Sequence, residues 1–311
     1  MKKISIVTGC YNEESNIRNW YNQVIKQINK FKDYDYEIIV IDNCSEDNSL
    51  EILRELAKEN PKLKIIVNAK NFGVARSPFY AMQQATGDAM IYLASDLQDP
   101  PAYIPKFIKK WEEGNKIVIG EKLASKESKI KWFLRQCFYN FIKLIEDSDS
   151  TVLSNFTGYG IYDKDIVKLM REYDNPYPYI KNFVAEIGFS PVKIPFKQAE
   201  RKAGRTKHSF NILLDCLFSV LTNTSSFPIK FMIICGFVLS FFSFLTGLIY
   251  FVYKLIHWNS FQLGIAPLVI GTFMILSFQT LFIGLIGEYI LSIYKRVDKK
   301  PLVIEKERIN F

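Results

Sequence analysis

The sequence predicts an α/β domain built on a mostly parallel sheet, followed by a pair of membrane-crossing helices. Three observations carry that expectation. Short β-rich apolar runs alternate with helical runs through the first 120 residues, the pattern of a sheet with helices on its faces. Two windows, residues 231–253 and 261–287, hold no charged side chain, and each exceeds the roughly 20 residues an α-helix needs to cross a bilayer core. A mean hydropathy of +0.02 coexists with 23% charged residues, so polar and apolar residues are segregated along the chain. Disorder, collagen and a small disulfide scaffold are excluded by 311 residues of which 49% are hydrophobic.

The elements follow in order. Residues 4–8 read as a strand, too short for a signal-peptide core and soon followed by Asn12, Glu13 and Glu14. Residues 15–31 read as a helix, 36–41 as a strand, 47–59 as a helix, 63–67 as a strand, 74–86 as a helix and 89–93 as a strand. A fifth strand ends at Gly120. The first 228 residues are then expected in the cytosol. Five cysteines, Cys10, Cys44, Cys137, Cys216 and Cys235, are odd in number and form no CxxC pair, which fits a reducing compartment.

In parallel sheets, ligands bind outside the carboxyl ends of the strands. Those positions hold Tyr11 to Glu14, Asp42 to Asp47, Asn68 to Gly73, and Ser95 to Asp99. Several carboxylates thus converge on one rim, where they repel unless a cation sits among them; a divalent metal on a phosphorylated substrate is the common solution. Ser45 and Asp47 read equally well as caps of the next helix. Asp42 and Asp96, each at a strand tip, read as functional. Neither G-x-G-x-x-G nor a Walker-type phosphate loop is present.

The flanking charges orient the membrane segment. Only Lys254 and His257 stand between the two windows, whereas Lys230 precedes them and Lys295, Arg296, Lys299 and Lys300 follow, so both ends of the hairpin are expected in the cytoplasm. Residues 129–145 and 209–221 read either as interfacial helices or as helices packed on the domain's own core.

The ordered motifs resemble the family 2 glycosyltransferases of GT-A fold, in the branch of membrane-bound polyprenyl-phosphate glycosyltransferases. The matching stretches are Tyr11-Asn12-Glu13-Glu14, Asp42 to Asp47, Asn71-Phe72-Gly73, Gly87-Asp88, Asp96-Leu97-Gln98-Asp99-Pro100-Pro101, and Arg201 to Lys207. The resemblance implies that Tyr11, Glu13, Asp42, Asn71, Gly73 and Ser95 surround a nucleotide-sugar donor. It also implies that Asp96 and Gln98 hold Mg²⁺ or Mn²⁺ on the diphosphate, and that Arg201 and Lys207 face the acceptor phosphate. Lys202 and Arg205 are read as lipid-facing. The family's Asp-Ala-Asp is here Ala94-Ser95-Asp96; Asp99, Ser95 or a water is expected to fill the place of the missing acid.

Four regions are expected: 1–200, a cytosolic GT-A catalytic domain; 201–228, a juxtamembrane phosphate-binding loop and interfacial helix; 229–294, two membrane helices at 229–253 and 261–287; and 295–311, a cytosolic basic tail. The implied activity is inverting transfer of one hexosyl unit from a nucleotide sugar, a UDP sugar by bacterial resemblance, to a polyprenyl phosphate. The implied location is the cytoplasmic membrane, with a tetramer implied by resemblance and no nucleic-acid partner expected. A processive polysaccharide synthase and a non-catalytic membrane scaffold are the competing readings. The first lacks its Gln-x-x-Arg-Trp motif; the second is motivated by Ala94.

Overall fold

The computed structural model describes residues 1–123, 156–175, 178–198 and 301–311, together with individual helical residues between 238 and 297. The chain divides into two compact units. One comprises Met1–Tyr139, Ser150–Lys207 and Lys299–Phe311, the other Asn140–Asp149 and His208–Asp298.

In the first unit an eight-stranded sheet runs in the order β7-β5-β6-β4-β1-β2-β3-β8. Its strands are β1 (Lys2–Cys10), β2 (Tyr34–Asp42), β3 (Leu63–Asn68), β4 (Ala89–Tyr92), β5 (Ile117–Lys122), β6 (Phe156–Asp163), β7 (Val192–Phe196) and β8 (Glu305–Ile309). The helices are α1 (Ile17–Ile28), α2 (Ser49–Glu59), α3 (Gly73–Gln83), α4 (Ile104–Glu112), α5 (Lys164–Glu172) and α6 (Ile180–Glu186), with a 3₁₀ turn at Pro101–Tyr103. Strands β4, β1, β2 and β3 are mutually parallel. β6 enters antiparallel between β4 and β5, and β8 closes the other edge antiparallel to β3.

Alternation along the strands feeds two apolar layers, as the two-residue period of a strand requires. Ile4, Ile6, Ile38 and Val40 face a core shared with Trp20, Val24 and Phe107. Val7, Ile39 and Ile41 face the opposite core with Phe79, Met82 and Phe183. Covering both faces explains why the central strands are nearly continuous apolar runs. The helices supply their share at helical spacing: Ile17, Trp20, Val24 and Ile28 on α1, and Ile104, Phe107, Ile108 and Trp111 on α4. Each fully buried side chain of this size contributes about 1.5–3 kcal/mol.

Glu37 holds the amino end of the sheet together. It is buried and accepts hydrogen bonds from Lys3 and Lys64, Ser5 Oγ, and the Thr86 amide and hydroxyl. Burial pushes its carboxyl up, but the bonds from Lys64, Ser5, Thr86 and Lys3 outweigh burial and hold it down at about 2. Gly87-Asp88 belongs to this same end. The Gly87 amide donates to Ser5 Oγ, and a Cβ on Gly87 would lie 2.6 Å from the Lys3 carbonyl oxygen; Asp88 accepts from the Lys3 amide and pairs with Lys164. That motif is structural.

The strands and helices expected through residue 93 all form, with ends shifted by a few residues. The segment 295–311, expected as a tail, instead contributes β8 to the sheet. Among the described residues no helix is long and apolar enough to cross a membrane. The spans expected at 229–253 and 261–287 fall mostly outside the described residues, as do residues 129–145, 201–228 and 209–221. The described helical residues of the second unit include Val238, Phe241, Phe242, Ile249, Leu255 and Ile256, and later Leu268, Ile275, Ile283 and Ile290, every one of them apolar and exposed.

Candidate active site

Because β4, β1, β2 and β3 run parallel, their following loops share one rim. Register aligns Cys10 with Asp42 and Asp42 with Val67, so the first three loops start at one level.

The loops after β1 and β2 are stitched to each other. Asn12 takes a left-handed backbone, φ 54°, which asparagine tolerates better than most residues. Its amide donates to Ser45 Oγ at 3.0 Å, and its side-chain oxygen accepts from the Glu46 amide at 2.8 Å. The Glu13 amide donates to Ser49 Oγ at 2.8 Å, and Glu14 exchanges bonds with Asp47 and the Asn48 amide. The Glu13 carboxylate accepts from Asn16 Nδ2 at 2.7 Å. Tyr11 is half-buried beside it.

Asp42 stands differently from its expected role at the donor. It is wholly buried, and its carboxylate accepts from the Ser45 amide at 3.0 Å and the Ser45 hydroxyl at 2.5 Å. Burial raises its pKa, and the Ser45 bonds offset only part of that. Its work here is to shape the turn at 42–45, while half-buried Ser45 retains surface.

Asn43 organises the third loop. Its side-chain oxygen accepts from Asn68 Nδ2 and the Phe72 amide, and its nitrogen donates to Asn71 Oδ1 at 2.8 Å and the Gly73 carbonyl at 3.3 Å. Asn71 Oδ1 also accepts from the Gly73 amide. Gly73 needs its lack of a side chain, having φ 87°. Sequence reasoning treated Asn43 only as part of a motif; two short polar side chains at adjacent strand tips were the signal for this network.

The loop after β4 alternates in depth. Ser95, Leu97 and Asp99 are buried, whereas Ala94, Asp96 and Gln98 are half-exposed. Leu97 adopts φ 62°. Asp96 accepts from the Gln98 amide at 3.1 Å, and Gln98 Oε1 accepts from Gln198 at 3.1 Å. Neither side chain expected to replace the missing acid is turned outward. Ser95 Oγ donates to the Gly9 carbonyl at 2.8 Å. Asp99 is 2% exposed, accepts from the Ala94 amide and the Thr157 hydroxyl, and is pushed up to about 7 by burial and by neighbouring Asp96. A carboxyl so placed anchors the loop to β6.

Arg201 and Lys207 lie outside the described residues. Asp163 and Glu186 are structural: Asp163 caps α5 and accepts from Trp111 Nε1 at 2.8 Å, and Glu186 accepts from the Tyr173 hydroxyl at 2.6 Å. Among the described residues no three His, Cys, Asp or Glu side chains group as a metal cage.

The family described as Glycosyl transferase family 2 matches residues 5–171, the stretch that builds this rim. The chain belongs to glycosyltransferase family 2. It is a glycosyltransferase, with α/β architecture of the GT-A type. Its similarity to the glycosyltransferase YkcC of Bacillus subtilis (strain 168) is 30% identity over 96% of this chain and 92% of that protein. The prophage bactoprenol glucosyl transferase homolog of Escherichia coli (strain K12) is 28% identical over 98% of both chains. The undecaprenyl-phosphate 4-deoxy-4-formamido-L-arabinose transferase of Proteus mirabilis (strain HI4320) is 28% identical over 97% of this chain and 92% of that one. Among solved structures, a Pyrobaculum calidifontis mannosyltransferase in complex with GDP-Man and Mn²⁺ covers 96% of this chain at 15% identity, with a TM-score of 0.46.

Proposed function

We propose that this family 2 glycosyltransferase moves one hexosyl unit from a nucleotide sugar, a UDP sugar, to a polyprenyl phosphate at the cytoplasmic face of a membrane, with inversion at the anomeric carbon. The observation that carries this reading is the similarity, across nearly the whole chain and its apolar C-terminal stretch, to relatives named for bactoprenol and undecaprenyl-phosphate transfer. Exposed apolar helical residues such as Phe241, Leu255, Ile283 and Ile290 support a lipid setting.

A phosphate monoester has its second pKa at about 6, so the acceptor is substantially ionised near neutral pH and needs no strong general base. The chain's two histidines, His208 and His257, then need no catalytic part. What the enzyme must supply is positioning and charge. On the rim, Asp96 and Gln98 are the half-exposed oxygen donors of their loop. They fit Mg²⁺ or Mn²⁺ of the kind that binds one carboxylate and completes its shell with water and substrate phosphate. Bound there, the ion would supply charge neutralisation on the departing diphosphate. Tyr11, Glu13, Ser45 and the Asn71–Gly73 turn line the donor side, with Asp42 and Ser95 bracing the loops from beneath. Arg201 and Lys207 are assigned to the acceptor phosphate.

Membranes bearing the protein, incubated with radiolabelled UDP sugars, Mn²⁺ and undecaprenyl phosphate, test the reading. Label in a mild-acid-labile lipid is the expected result. Label in polymer would point to a synthase, and absence of label with every donor would overturn transfer.

A further inference from the structure

Residues 301–310 reach the donor rim directly. The Ala69 amide, the first of the loop after β3, donates to the Ile304 carbonyl at 2.9 Å. Arg76, in the first turn of α3, donates from Nη2 to the Pro301 carbonyl at 2.7 Å and lies over the Phe72 ring at 5.7 Å. Phe72 in turn gives its amide to Asn43. Farther along, Arg308 donates to Tyr80 of α3 and to Gln84 just past its end, Glu307 pairs with Arg54 of α2, and Asn310 donates to the Ala57 and Leu63 carbonyls. The loop at 69–73 is therefore pinned from one side by Asn43 and from the other by residues 301–304.

We propose that residues 301–304 set the geometry of the 69–73 donor loop, with Arg76 as the positioning residue that transmits it. This rests on the reading that the loop lines the nucleotide site. The guanidinium of Arg76 suits this role because a charged donor gives a stronger hydrogen bond to a carbonyl than a neutral one does, and its plane stacks on an aromatic ring while bonding at its edge. Only residues 298–300 separate Pro301 from Val297, the last described helical residue of the second unit.

Binding of UDP and of GDP to the full-length purified protein by calorimetry, alongside steady-state kinetics, tests the assignment. Arg76→Ala should weaken nucleotide binding and raise the donor KM about tenfold, the scale of one hydrogen bond to a charged group, leaving kcat and the lipid KM within about twofold. Arg76→Lys, which keeps a cationic donor, should recover part of the loss. Pro301→Gly, which loosens the acceptor carbonyl and leaves α3 untouched, should weaken binding in the same direction, and the double variant should be no worse than Arg76→Ala alone. Nucleotide affinity unchanged in both single variants, additive losses in the double, or a change in lipid KM in place of donor KM would overturn the assignment. A wild-type protein that binds neither UDP nor GDP would reject the donor-site reading itself.

Discussion

Two aspartates three positions apart meet opposite surroundings. Asp96 keeps surface at the rim, whereas Asp99 is 2% exposed and tied to Ala94 and Thr157. The difference follows from a tight turn, with Leu97 at φ 62°, that leaves Asp96 at the surface and carries Asp99 inward against Ala94 and Thr157. Asp96→Ala is expected to abolish metal-dependent transfer with membrane association intact, which labelled-donor assays and membrane fractionation would check; near-normal turnover would reject the metal assignment. Asn43→Ala removes four hydrogen bonds, strands the Phe72 amide and leaves Asn68 Nδ2 with Ser77 as its partner. It should cost about 2–3 kcal/mol, the scale of leaving buried polar groups unpaired, and lower the thermal midpoint while raising the donor KM. The strand-tip rule made the rim legible, because parallel strands bring their carboxyl ends together whatever the side chains. It could not tell that Asp42 turns to Ser45, since that depends on how burial and the bonds of one tight turn balance.

Elements with strong apolar periodicity through residue 93 were legible, whereas α4, with Ile104, Phe107, Ile108 and Trp111 at helical spacing, carried the same signal and was passed over. The strands and helices through residue 93 bury whole stripes of Ile, Val, Leu, Phe and Trp, so their period dominates local propensity. β8 reads Glu-Lys-Glu-Arg-Ile, no strand pattern at all, because an edge strand pairs through its backbone and its charges discourage further pairing. β6 was hidden by glycines that its close packing requires: a Cβ on Gly160 would sit 2.4 Å from the Val118 carbonyl oxygen. Gly160→Ala should therefore destabilise by about 2–3 kcal/mol as the β5–β6 ladder gives way, and thermal melting would measure it. Glu37 ties β1, β2, β3 and the turn at Thr86. Its folded pKa of about 2 lies below its ordinary value of 4.5, so its stabilisation is fully present above pH 4.5 and is lost as pH falls toward 2. Glu37→Gln should lower the melting midpoint at pH 7 and flatten the loss of stability between pH 4.5 and 2; an equally steep acid profile would remove Glu37 as its cause.

At the scale of the molecule, the chain departs from the catalytic unit after Lys207 and rejoins it at Lys299. The hairpin we propose from Lys and Arg placement puts position 257 and the C-terminal residues on opposite sides of a bilayer. A single reporter cysteine at position 257, in a variant lacking the native five, should react with an impermeant maleimide from outside spheroplasts, and one at position 311 only after lysis. Labelling of both from the same side would exclude the hairpin.

The closing strand also dictates a schedule for biogenesis. Arg54 and its partner Glu307 are 253 positions apart, so a nascent chain emerging from the ribosome displays β3 as an open border throughout synthesis of everything between. Shielding arrives only once residues 305–309 have been translated, which makes premature termination near residue 300 a source of sticky, self-pairing fragments.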